Sequence, residues 1–170
     1  GKFIWAIIIY MPQHNRYEQF YLVDKRDRPI GQISRIKAHS SLVYIHRSIC
    51  ILIFNNNFQL LLQKRSENKD TYPNYWTLSV TGHVTYGQSY LQAAKRELFE
   101  ELGLKAPLKR LTKLLLSLPN ETEYSTIYQT SIVNTNIVPD FQEISNISWV
   151  DIFQLYEFTR KNPITPDTLL

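Results

Sequence analysis

Gly82–Leu104 reads GHVTYGQSYLQAAKRELFEELGL, and its second half predicts a helix. Ser89 can cap that helix, and Gln92 three residues on completes a capping box. Gly103 suits the left-handed position that ends it. At about 100° per residue, Leu91, Ala94, Leu98 and Leu102 fall on one stripe, the face expected to pack. Glu97, Glu100 and Glu101 stand three and four residues apart and share an adjoining face. Three crowded carboxylates repel one another unless a cation offsets them. A hard divalent ion, Mg²⁺ or Mn²⁺, takes oxygen ligands and shares them with phosphate.

The spacing from Gly82 onward is long and specific. Five residues lead to Gln88 and seven more to Arg96-Glu97-Leu98; after one residue come Glu100-Glu101, and after another Gly103-Leu104. This order resembles the Nudix box, the loop–helix signature of Mg²⁺-dependent enzymes that hydrolyse nucleoside diphosphates linked to another moiety. The resemblance implies that the Gly82 carbonyl, Glu97, Glu100 and Glu101 hold the metal. Glu101 or Glu97 would be the catalytic base, with Glu143 as an alternative. Arg96 would orient the acids by ion pairing, and Gly103 and Gln88 would be structural. Gln88 departs from the pattern, which has an acid there. An amide cannot ionise but still hydrogen-bonds, so metal binding is expected to be modestly weakened rather than abolished.

A chain of 170 residues suits one domain with a real core. The net charge of +4 is scattered, without a basic run, so no nucleic-acid polymer is expected as a partner. The single Cys50 cannot form an internal disulfide, which suits the cytoplasm. Phe3–Met11 is apolar but far too short to span a membrane, and it lacks the flanks of a cleavable signal. It reads as an N-terminal strand or an extension, so residues 1–18 stand apart from a domain over 19–170. His14 reads as an ordinary exposed residue. A two-fold homodimer is the default expectation for oligomeric state.

Residues 19–24 and 29–34 read as a hairpin across the polar turn Lys25–Asp27. Residues 36–43 are a short helix or loop carrying His39. An Ile-rich buried strand over 47–54 holds Cys50 in the core, and Asn55-Asn56-Asn57 turns it into a second strand over 58–63. Residues 64–78 form a loop with Pro73, and 78–80 lead into the box. Strands follow at about 107–116, 123–133 and 144–150, then a helix from Asp151 to about Thr159. The order indicates an α+β fold, a mixed sheet sandwiched between helices.

Outside the box, VDKRDRPIGQISR, AHSSLVYIHR, LLLQKRSENKD, YPNYW, SVTGHV and SWVDI resemble the isopentenyl-diphosphate-isomerase-like branch of the Nudix superfamily. That branch includes isomerases and hydrolases, with an α/β/α sandwich. The resemblance implies a metal site at His39, His46, His83, Glu121 and Glu123. It also implies diphosphate contacts at Arg65 and Lys69, and a pocket aromatic at Trp149. Tyr72, Tyr75 and Trp76 could cover a substrate's organic group, although packing under the loop is the default. The isomerases carry a catalytic Cys at the position of Thr81 and basic residues in place of Glu97 and Glu100. A hydroxyl is a far weaker acid and nucleophile than a thiol. The expected function is therefore a Mg²⁺-dependent Nudix pyrophosphohydrolase acting on a small diphosphate. The alternatives are an isopentenyl-diphosphate delta-isomerase and a non-catalytic diphosphate- or nucleotide-binding domain.

Overall fold

A computed structural model describes residues 17–133 and 136–169; Phe3–Met11 and His14 lie outside them. Strands β1 (Gln19–Val23) and β2 (Pro29–Ser34) form the expected antiparallel hairpin. A one-turn helix, α1 (Arg35–Ala38), follows under a Ser34 cap and ends at His39.

The sheet is organised around β3 (Ile45–Phe54), whose nearly continuous apolar sequence suits a strand covered on both faces. One edge of β3 runs parallel to β8 (Thr122–Ser131) along its whole length, from Ile45↔Thr122 to Phe54↔Ser131. The other edge is shared. It meets β1 at Val23↔Ile45, then β6 (Val80–His83) from Ser48↔His83 to Ile51↔Val80, then β4 (Gln59–Arg65) at Phe54↔Leu60. Beyond that corner β4 pairs with β9 (Ile144–Asp151) and with β5 (Trp76–Thr77). The strand β7 (Lys109–Ser117) pairs with the far side of β8. Among the described residues the sheet is mixed and nine-stranded.

Helices cover both faces. Ala93, Ala94, Leu98 and Leu102 of α2 (Tyr90–Leu102) pack on Ile49, Ile51, Ile53, Leu61 and Val80. Leu60 and Leu62 point the opposite way from Leu61, as strand alternation requires. They join Trp76, Val150 and Ile164 beneath Leu155 and Phe158 of α3 (Leu155–Lys161). This is the expected α/β/α sandwich.

Three local expectations change. Residues 64–78 contain β5, too short to carry a period and held by its ladder to Gln63 and Lys64. The helix expected from Asp151 begins as a 3₁₀ turn, Ile152–Gln154, and becomes α-helical only at Leu155. Most informative, Leu91 is 40% exposed while Ala93 is fully buried. The packed face of α2 is therefore rotated away from the apolar stripe toward the acids, and it carries Glu101 into the interior.

Candidate active site

A cavity of about 510 Å³ opens between the β3–β6–β8 face, the box and the C-terminal segment. Glu97, Glu100, Glu101, Gly82, His39, His83, Glu121 and Glu123 all contribute to its wall. Arg65 and Lys69 lie there too.

The box end is built by β6, its loop and α2. The capping box is present: Ser89 Oγ accepts from Gln92 N at 3.2 Å, and Gln92 Oε1 accepts from Ser89 N at 2.8 Å. Gly103 closes the helix at φ 67°. Arg96 ties the loop to the helix by four donations: to Glu97 Oε1 at 2.8 Å, Glu100 Oε2 at 3.0 Å, the His83 carbonyl at 3.1 Å and Gln88 Oε1 at 3.3 Å. Burial works against the Arg96 charge, but Glu97 and Glu100 outweigh it and raise its pKa. Glu101 accepts from Gln63 Nε2 at 2.8 Å, while Gln63 also donates to the Ser79 carbonyl. Burial pushes the Glu97 carboxyl up to about 7, and burial with the Glu97 charge pushes Glu101 up to about 8. Glu100 stays mostly in solvent. Glu97, held against Gly82, and the buried Glu101 form an oxygen-rich donor set that suits a hard divalent ion.

The other end gathers four elements. His39 caps α1, His46 lies in β3, His83 ends β6, and Glu121 precedes β8. Glu121 Oε2 lies 2.9, 3.1 and 3.2 Å from the Nε2 atoms of His39, His46 and His83. The His39 and His83 Nε2 atoms are 3.3 Å apart. Phe20 stacks on the His46 and His83 rings with centroids 5.3 and 4.7 Å away, which fixes their planes. Burial opposes the Glu121 charge, but its contacts to the three imidazoles hold the carboxyl far below the usual range. Burial drives His83 down to about 3. Glu123 stands behind, 3.9 Å from His46 Nε2 and 4.0 Å from His83 Nε2. Burial and the Glu121 charge push its carboxyl well up. Three imidazole nitrogens and a carboxylate converging on one point suit a divalent transition metal.

Other expected residues divide. Arg65 lines the cavity, but its Nε and Nη2 donate to the Thr71 carbonyl at 3.0 and 2.8 Å, and burial lowers its pKa. Lys69 Nζ donates to the Glu143 carboxylate at the cavity wall. Trp149 is not brought to the cavity: its register opposite Leu61 turns it against the core under α2. Tyr72 reaches the wall, whereas Trp76 packs in the second core. Cys50 is buried as expected, yet it also lines the cavity beside its ladder partner Thr81. The sequence reading did not single out Ser48, Asp140 or Asp167, all of which contribute to the wall.

Comparison with known proteins follows the same lines. Residues 44–169 match the family model for the NUDIX domain. The chain is 34% identical over 151 residues to an isopentenyl-diphosphate Delta-isomerase 2 of Photorhabdus laumondii, a match covering 86% of this chain and 84% of that protein. It is 32% identical over 144 residues to a prenyl-diphosphate phosphatase of Methanosarcina mazei, covering 83% and 84%. A crystal structure of a Deinococcus radiodurans protein superposes with a TM-score of 0.77 at 25% identity, covering 88% of this chain and 94% of that one.

Proposed function

Because the chain belongs to the NUDIX family, we propose that it is a Mg²⁺-dependent hydrolase, with Mn²⁺ as the alternative ion, that cleaves a phosphoanhydride bond of a small diphosphate substrate. The observation that carries this reading is the placement of Glu97, packed against Gly82, and of the buried Glu101 in a cavity that also holds Arg65 and Lys69.

The Gly82 carbonyl, Glu97, Glu100 and Glu101 are the residues that would hold the ion. A divalent cation there supplies charge neutralisation on the phosphate oxygens and acidifies a nearby water. The protein's own groups do the rest. Arg65 and Lys69 present positive charge to the diphosphate, Arg as a fork and Lys as a point charge. Arg96 fixes the box loop and keeps Glu97 and Glu100 on the cavity side of α2. Glu97 or Glu101 accepts the proton of the attacking water, both carboxylates lining the cavity beside the box loop. Glu143 is the alternative acceptor. The lone Cys50 supports placing this activity in the cytoplasm.

A second reading, the isomerase, is favoured by the assembled His39, His46, His83 and Glu121 cluster. Thr81 weighs against it, because a hydroxyl replaces the thiol needed for proton transfer.

The test is phosphate and pyrophosphate release from nucleoside diphosphate derivatives, dNTPs and isopentenyl diphosphate with Mg²⁺ or Mn²⁺. Metal-dependent release supports the hydrolase. Silence across the panel, with deuterium entering the allylic carbon of isopentenyl diphosphate in D₂O, would replace it with the isomerase.

A further inference from the structure

Leu60, Leu61 and Leu62 of β4 are buried, and Gln63 continues the run at 4% exposure. Its backbone is held from both sides, opposite Thr77 of β5 and Ile147 of β9. Leu61 packs beneath α2, and strand alternation puts Gln63 on that same face. The fold alone asks for an apolar side chain there, because a buried amide costs free energy unless its polar atoms are paired.

Both hydrogens of that amide are committed. Gln63 Nε2 donates to the Ser79 carbonyl at 3.1 Å and to Glu101 Oε2 at 2.8 Å. Ser79 is itself bolted into the sheet: its Oγ donates to the Leu61 carbonyl at 2.6 Å and accepts from Ile53 N at 2.9 Å. A flipped amide would turn its oxygen against two acceptors, a carbonyl and a carboxylate, so Gln63 can only donate. The bond therefore fixes Glu101 from the sheet rather than from its own helix. Among the described residues no donor meets the other oxygen, Glu101 Oε1.

We infer that Gln63 is a positioning residue for the box: it occupies Glu101 Oε2 and turns the carboxylate so that Oε1 is the oxygen presented to the ion. This rests on the reading of the box acids as an ion site. Arg96 restrains Glu97 and Glu100 from the loop side, and Gln63 restrains Glu101 from the sheet side. Outer partners of this kind orient a ligand before the ion arrives.

The test is a series of thermal melts, first in EDTA and then at rising Mg²⁺, an ion that takes carboxylate oxygens in preference to imidazoles. The EDTA melt reads the fold, and the Mg²⁺ concentration at which Tm climbs reads the site. Gln63→Met keeps the length but donates nothing, and should need about 10- to 100-fold more Mg²⁺ than wild type for the same rise. Gln63→Asn, one methylene shorter, withdraws the amide from Glu101 while leaving a polar group, and should shift in the same direction if the Met variant does not fold. Leu62→Val, which loosens the opposite core from the adjacent position, should lower Tm in EDTA yet climb at the wild-type Mg²⁺ concentration. A Gln63 variant that climbs with wild type, or a shift in Leu62→Val as large as in the Gln63 variants, would overturn the proposal. A wild-type Tm indifferent to Mg²⁺ would instead overturn the ion-site reading on which it rests, so the two failures are distinct.

Discussion

Gly82 lies so close under Glu97 that a Cβ on it would stand 2.5 Å from Glu97 Oε1. The glycine is needed for this approach. Its neighbour across the ladder is Ile49, so any side chain would point toward α2 and displace the carboxylate. Gly82→Ala should cost about 1–3 kcal/mol of stability through overpacking. It should also weaken Mn²⁺ binding by about 10- to 100-fold, as a displaced ligand does. Thermal melts and metal titration measure the two effects; unchanged affinity would remove Glu97 from the ligand set.

Glu97 and Glu101 oppose each other, offset in part by Arg96, the Lys69 charge and the Gln63 amide. An ion bound between them should therefore stabilise the fold. Raising free Mn²⁺ to about 100 times its Kd should add about 2.7 kcal/mol, seen as a higher Tm that EDTA reverses. In Glu101→Gln the gain should be clearly smaller. An equal gain in the variant would place the ion elsewhere.

Gln88 gives Arg96 a neutral hydrogen bond at 3.3 Å where an acid would give an ion pair. Gln88→Glu should draw Arg96 toward the loop and free Glu97 and Glu100 from part of its charge. The Mg²⁺ concentration for half-maximal activity should fall several-fold, by at most about tenfold, because the pair is only partly buried. A rise in that concentration would show that the amide serves the ion better than an acid.

Asp27 pins the β1–β2 turn to three other elements. It accepts from Arg47 Nε at 2.7 Å, from Tyr90 OH at 2.9 Å and from Lys113 Nζ. Burial works against its charge, but the bonds from Lys113, Arg47 and Tyr90 outweigh it and hold the carboxyl below its usual value. A lowered acid contributes stability above its unfolded pKa of about 4 and loses it as pH falls through the folded pKa. Asp27→Asn should therefore cost about 3 kcal/mol at pH 7, the lower end for breaking a buried pair. The gap to wild type should narrow as the solution is acidified below about pH 4, where wild type also becomes neutral. Urea melts across pH test this, and a constant gap would contradict it.

What the sequence disclosed depended on how local each signal was. The box helix was legible because its cap, its stop and its acids are all set within one segment, and Ser89, Gln92 and Gly103 behave as their chemistry dictates. The His39, His46, His83 and Glu121 cluster joins four elements, so only family resemblance could propose it; spacing along the chain does not encode that convergence. The rotation of α2 was not legible, since a stripe defined by size favours Leu91 over Ala93 and does not foresee a buried Glu101. Cys50, flanked by isoleucines, reads as core, and only the pairing of β3 with β6 sets it beside Thr81 at the cavity. Asp167 gave no signal, because its place at the cavity wall follows from the backbone bonds of Pro163 and Thr165 to Trp76. Trp149 was misdirected by resemblance, and its register with Leu61 decides its place.

The central claim is that the box acids perform hydrolysis, and turnover by Glu101→Gln at saturating Mg²⁺ tests it most directly. The substitution keeps shape and an acceptor oxygen but removes the charge from the most deeply buried acid of the box. Release of phosphate or pyrophosphate should fall by at least about a hundredfold, with wild-type Tm in the absence of metal, as expected for loss of a general base. Wild-type turnover in that variant would contradict the assignment of the whole site.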